Sequence, residues 1–163
     1  MVILTGCLST GSQRNSALLP IVDAGQLICC WQSQELLTID WQGRHLELSS
    51  VLATAEGSLI AVIFDPLGQR LVTINQNGTD VFIDPASRLP GGLPINWLLL
   101  GIYLRYMPVA SWRLTESDWQ AHEVGNLRTL SLGGEAVIES RIQQDSKGAD
   151  KSEVSELYFS IFD

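Results

Sequence analysis

Apolar and polar residues alternate along most of this chain in short runs, and turn residues separate the runs. Runs 35–41 and 44–54 flank Gln42-Gly43. In the second of them Leu46, Leu48 and Leu52 fall on one face at period two, the mark of a half-buried strand. Glu56-Gly57 opens run 58–64, where Ile60, Val62 and Phe64 share a face. Asp65-Pro66-Leu67-Gly68 is a turn, and run 70–75 follows with Val72 and Ile74 on one face. Asn77-Gly78 is the strongest hairpin signal in the chain, and run 81–84 completes that hairpin.

The rhythm breaks at 85–94, which holds three prolines and two glycines and reads as a loop. Pro94 suits the first turn of a helix. Residues 95–107 form the helix candidate, ended by Pro108 and apolar nearly all round. Such a helix has to be buried against protein or another apolar partner. Trp97, Leu100 and Leu104 lie on one helical stripe with Tyr103 beside it. Segment 87–94 can serve as a hinge about which the helix moves as a lid; a fixed plug is the alternative. Segment 109–122, with Trp112 and Trp119, is ambiguous. Strands resume at 127–132, turn at Gly133-Gly134, and run through 136–142; 145–152 is a polar loop, and 156–162 is the last strand.

The expected fold is mainly β with one helix (α+β). A strongly curved antiparallel sheet of about eight to ten strands wraps the apolar helix as a half-barrel. The groove is expected between Leu46, Leu48, Leu52, Ile60, Val62, Phe64, Val72 and Ile74 of the strands and Trp97, Leu100, Tyr103 and Leu104 of the helix. The inward face is least determined for Val72 and Ile74.

Composition narrows the function. The 163 residues suffice for one domain with a real core, and 45% are hydrophobic. The net charge is −8, and the ten basic residues are scattered. That argues against nucleic acid, whose phosphates need clustered Lys and Arg. The apolar run at 95–107 is too short to span a membrane, and Arg105 interrupts it.

Candidate chemistry is sparse. His45 and His122 are isolated, so no metal spacing is present, and no cofactor is expected. No nucleophile elbow, Gly-rich phosphate loop or His-Glu-x-x-His occurs, so the chain is not read as an enzyme. Asp65 and Asp84 are expected in turns, capping backbone donors. Gln69-Arg70 can meet a lipid head group or form an outward polar pair at a strand start. Cys29 and Cys30 read as small core side chains, since neighbours in a strand point to opposite faces and cannot easily pair.

The first residues add an anchor. Leu4-Thr5-Gly6-Cys7 has the form of a bacterial lipobox, followed by a polar segment suited to a tether. Residues 1–6 are then the remnant of a longer signal peptide, 7–24 a tether lipidated on Cys7, and 25–163 the β domain. The alternative is a free Cys7.

The order of parts resembles the LolA/LolB half-barrel superfamily of lipoprotein carriers and receptors, and within it small outer-membrane lipoproteins of unassigned function. The resemblance spans about residues 26–162 and rests on the lipobox Cys, the hairpins, Asp65-Pro66-Leu67-Gly68-Gln69-Arg70, the Asn-Gly turn, Leu93-Pro94-Ile95-Asn96-Trp97-Leu98-Leu99-Leu100-Gly101 and the closing strand. It implies an apolar groove for an acyl chain or lipid, including that of a lipoprotein, in transport or localisation to the outer membrane. It also implies a periplasmic-facing, lipid-anchored location. A non-catalytic structural or assembly lipoprotein with a filled core is the alternative. Oligomeric state is left open.

Overall fold

The computed structural model describes residues 20, 22–85, 89–112, 114, 118–141 and 155–161. Nine strands form one sheet among them, with one α-helix. The strands are β1 (Gln32–Trp41), β2 (Arg44–Ala55), β3 (Ser58–Phe64), β4 (Arg70–Asn77), β5 (Asp80–Pro85), β6 (Trp119–Val124), β7 (Leu127–Leu132), β8 (Glu135–Arg141) and β9 (Ser155–Ile161). The helix α1 is Ile95–Tyr106. Cys7, the remainder of 1–19, and the whole 142–154 connection lie outside the described residues.

Turn chemistry sets the meander. Gln42 and Gly43 both have positive φ (48° and 70°), the backbone of a two-residue hairpin that matches strand twist. Trp41 is thereby paired with Arg44. The next hairpin pairs Ala55 with Ser58, and Gly78-Thr79 connects Asn77 to Asp80. The sheet order is β5-β4-β3-β2-β1-β9-β8-β7-β6. Every neighbouring pair is antiparallel except β1 and β9, which run parallel from Glu35↔Ser155 to Trp41↔Ile161. A parallel pair needs a long crossover. Here everything from β2 to β8 lies between the two strands, so local signals cannot reveal it.

The register decides which face is inside. Leu52 pairs with Ala61, and Ala61 with Ile74, so these share a face. Leu37, Ile39, Leu46, Leu48, Leu52, Leu59, Ala61, Ile63, Val72 and Ile74 are buried on it. Ile60, Val62 and Phe64 are therefore on the opposite face, contrary to the sequence expectation. Ile60 pairs with Ala53 and Asn75 and is 45% exposed. The cause is that β3 is apolar on both faces, so its periodicity does not choose between them; the Ala55↔Ser58 turn does. A bulge at Ile63/Phe64 inserts one residue into β4, and both Leu71 and Val72 are buried there.

The helix occupies the inner face. Its residues Leu98 through Leu104 are all buried, as an all-apolar helix requires. Pro94 precedes the first turn, and its carbonyl accepts the Trp97 N–H at 3.1 Å. At the far end Met107 N–H bonds Tyr103 O before Pro108. Consecutive helix residues reach distant strands: Tyr103 touches Gln76 of β4, and the Leu104 carbonyl touches Arg128 of β7. On a flat sheet those strands would be six spacings, roughly 29 Å, apart. The sheet therefore bends around the helix.

Two further expectations are corrected. Cys29 and Cys30 are exposed and are disulfide-bonded to each other. Their segment is irregular and precedes β1, so strand alternation does not govern it. Asp84 belongs to β5 and accepts from Arg70 at 3.0 Å instead of capping a turn. Asp65 does cap its turn, accepting from the N–H groups of Leu67 (2.9 Å) and Gln69 (2.8 Å).

Candidate functional site

The predicted groove residues separate into three sets. Leu46, Leu48, Leu52, Val72 and Ile74 point inward from the sheet, and Leu100, Tyr103 and Leu104 are buried on α1 in the same core. Trp97 is half-buried at the helix start, 6.3 Å from the Trp119 ring. Ile60, Val62 and Phe64 are on the outer face. The helix itself fills the trough that the strands form.

Space remains beside it. A cavity of about 270 Å³ lies between α1 and the β4–β5 hairpin, bordered by Leu99, Leu100, Tyr103, Gln76, Val81 and Val22, with Pro20, Thr79 and Asn96 at its margins. Of the residues predicted for the groove, only Leu100 and Tyr103 line it. A smaller cavity of about 170 Å³ lies beyond Val22 and Asp23, against Met107 and Trp112. The sequence did carry a signal for Gln76. It continues the Val72, Ile74 period and sits one residue past where the predicted strand stopped.

Gln76 organises the cavity floor. It is buried, and its Nε2 donates to Val22 O (2.5 Å) and Gly78 O (2.8 Å), while Oε1 accepts from the Tyr103 hydroxyl at 2.8 Å. Ala24 N–H adds a 2.8 Å bond to Gly78 O. The segment 22–27 is thus strapped across the β4–β5 turn, and the helix is tied to both. A second buried polar group sits at the other side of α1: Tyr106 donates to the carboxylate of Glu35, which is only 1% exposed, and stacks on Trp31 at 4.5 Å.

Burial pushes both tyrosine hydroxyls well above their ordinary pKa. Asp23 adds to the effect at Tyr103, and the bond to Glu35 adds to it at Tyr106. In the unfolded chain these phenols ionise near pH 10. Above that pH the unfolded state has lost protons that the folded state still holds, so stability falls as pH rises. The expected result is a denaturation midpoint insensitive to these groups below about pH 9 and declining above about pH 10. Tyr103→Phe or Tyr106→Phe should flatten that decline. An unchanged slope in both variants would contradict the assignment.

Both ends of α1 are held. Trp41 Nε1 donates to Gly91 O at 3.3 Å, and Leu89 and Leu93 are buried. The loop expected as a hinge is therefore anchored ahead of the helix; residues 86–88 of it lie outside the described residues. At the C-terminus the Arg128 guanidinium donates to the carbonyls of Leu104 (3.2 Å), Arg105 (2.6 Å) and Met107 (3.2 Å).

The remaining candidates are peripheral. Arg70 engages Thr73 and Asp84, each at 3.0 Å, in an exposed cluster, the outward polar arrangement. His45 bonds Asp40 at 2.8 Å, and His122 lies 3.2 Å from Gln120; both are exposed. Among the described residues no three His, Cys, Asp or Glu side chains converge as metal ligands. No described helix is long and apolar enough to cross a membrane.

Fold and site together define a nine-stranded open sheet that encloses one apolar helix, with a small cavity between helix and hairpin. Residues 32–157 match the family described as "Protein of unknown function (DUF3261)", and the chain belongs to it. The match runs from the first residue of β1 into β9, so the family unit is the sheet with its helix. No curated protein and no solved structure gave a match.

Proposed function

We propose that this chain is an envelope lipoprotein with a LolA/LolB-like half-barrel, anchored through Cys7 at the periplasmic face of the outer membrane, that binds an acyl chain or lipid. The observation that carries the reading is the cavity of about 270 Å³ along Leu99, Leu100 and Tyr103 of an all-apolar helix. Pockets that take a whole small ligand run from about 300 Å³ upward. This cavity suits the entry of one chain end, and deeper binding requires α1 to yield part of the trough. Each methylene that then leaves water contributes about 0.8 kcal/mol. A bilayer offers the same gain, so cargo can be handed on. A transport role needs that reversibility and no reacting group.

The competing reading is a structural lipoprotein whose helix is a permanent plug, and the anchoring of both helix ends favours it. Lipid binding by the full chain separates the two. Native mass spectrometry is expected to show co-purified lipid, and a fluorescent fatty acid is expected to bind. Leu100→Glu should abolish probe binding. Because Leu100 is buried and the change can unfold the core, Val81→Glu at the half-open cavity wall is the second variant. It should weaken binding about tenfold at an unchanged thermal midpoint. Absence of both lipid and probe binding in the wild type would leave the structural reading.

A further inference from the structure

We infer that the free edge of β5 is a docking strand for an extended, basic segment of another protein, which adds to the sheet by backbone pairing. β5 ends the sheet, and among the described residues no strand lies on its outer side. All six of its residues are exposed. Three in succession are large and apolar: Val81 and Ile83 are each 39% exposed and Phe82 67%.

Edges of this kind invite pairing unless something blunts them. β5 has no Lys or Arg, its ladder with β4 has no bulge, and its proline comes last. The opposite edge, β6, is better protected, since its centre carries Gln120, His122 and Glu123. The backbone of β5 is also correctly disposed. The two-residue connection makes Asn77 and Asp80 a hydrogen-bonded pair. Alternation then directs the N–H groups of Val81 and Ile83 away from β4, toward an incoming strand.

The charges define the partner. Asp80, Phe82 and Asp84 share the outer face of β5, Asp84 already pairs with Arg70 at 3.0 Å, and the whole chain carries −8. Asp80 is therefore the acidic end that faces a partner without a cation beside it among the described residues. A second copy of this chain fits poorly. Antiparallel pairing about Phe82 would set Asp80 against Asp84 of the other molecule, two carboxylates with a single Arg70 guanidinium at each end, and the excess of like charge is destabilising. A strand with apolar residues at its centre and Lys or Arg opposite Asp80 satisfies both the apolar run and the acidic end, while the chain's net charge of −8 favours a basic residue at the other end as well. Recognition by strand addition takes its affinity from the backbone and its selectivity from alternate side chains.

The test uses the full chain and a short synthetic peptide of alternating valine and threonine with lysine at each end. Amide hydrogen exchange, read residue by residue, should slow at Val81 and Ile83 on peptide addition. The same peptide with glutamate ends should bind about tenfold more weakly. Ile83→Pro removes an outward N–H while leaving the β4 ladder intact, so it should abolish the protection with the fold unchanged by circular dichroism. Asp80→Lys should weaken the lysine peptide. The proposal is overturned if Val81 and Ile83 are not slowed, or if both peptides bind alike. Self-association that Ile83→Pro abolishes, or protection by lipid vesicles in place of peptide, would equally overturn it.

Discussion

Truncating Tyr103 to alanine is expected to lower the unfolding free energy by about 4 kcal/mol, the range of large-to-small changes at fully buried aromatic sites. Tyr103 has no exposed surface, and its ring packs at the centre of the core. Its hydroxyl also satisfies Gln76 Oε1, which holds the strap at Val22 through the same amide. Tyr103→Phe keeps the ring and removes only that donor, leaving a buried acceptor unpaired at a cost of about 1–2 kcal/mol. Urea denaturation followed by circular dichroism gives both values. The alanine variant also extends the cavity along α1, so an acyl probe should bind it more tightly than wild type. If both variants lose the same stability, the hydroxyl carries the effect and the packing argument fails.

The second large effect is expected at Arg128. The last carbonyls of a helix have no partner within it, and a cation there also meets the negative end of the helix dipole. Arg128 meets three such carbonyls from β7 and is itself largely shielded, with 15% of its side chain exposed. Arg128→Ala should cost about 3 kcal/mol, the scale of lost charge-assisted hydrogen bonds to buried acceptors. Its ion pair with Glu123 (2.7 Å) is a lesser part, because that carboxylate is 40% exposed. Glu123→Gln should therefore cost less than about 1 kcal/mol. Arg128→Lys should fall between, since one ammonium nitrogen cannot meet the helix-end carbonyls, as Nη1 does, and Glu123, as Nε does, at the same time. Equal losses in Arg128→Ala and Glu123→Gln would show that the ion pair, and not the helix cap, holds β7 to α1.

These two residues show where sequence reading reached its limit. Leu100 and Tyr103 were legible as cavity-side residues because an apolar helix must be buried and its stripe follows from the 3.6 period. Arg128 lies inside the predicted strand 127–132, and nothing nearby in sequence shows that it faces a helix terminus. Gln76 was missed because the predicted strand stopped at Asn75, although the same period-two face continued to it. Cys29 and Cys30 were misread because the segment was treated as a strand, whereas it is the irregular approach to β1.

The sequence by itself determined the elements. Gln42-Gly43, Glu56-Gly57, Asp65 and Gly78 set the hairpins, and Pro94 and Pro108 bound the helix. Period-two runs made the chain mainly β. Those signals act within about ten residues, the range over which turn chemistry and side-chain alternation operate. Only the tertiary structure decided what is joined across the chain: the parallel β1–β9 pair, the inward face of β3, and the latches at Gln76, Glu35 and Arg128. Gln76 and Tyr103 are 27 residues apart, and Glu35 and Tyr106 are 71 apart. Burial of α1 by a sheet bent around it brings these groups within bonding distance. Once there, the cost of leaving a buried polar group unpaired selects their partners.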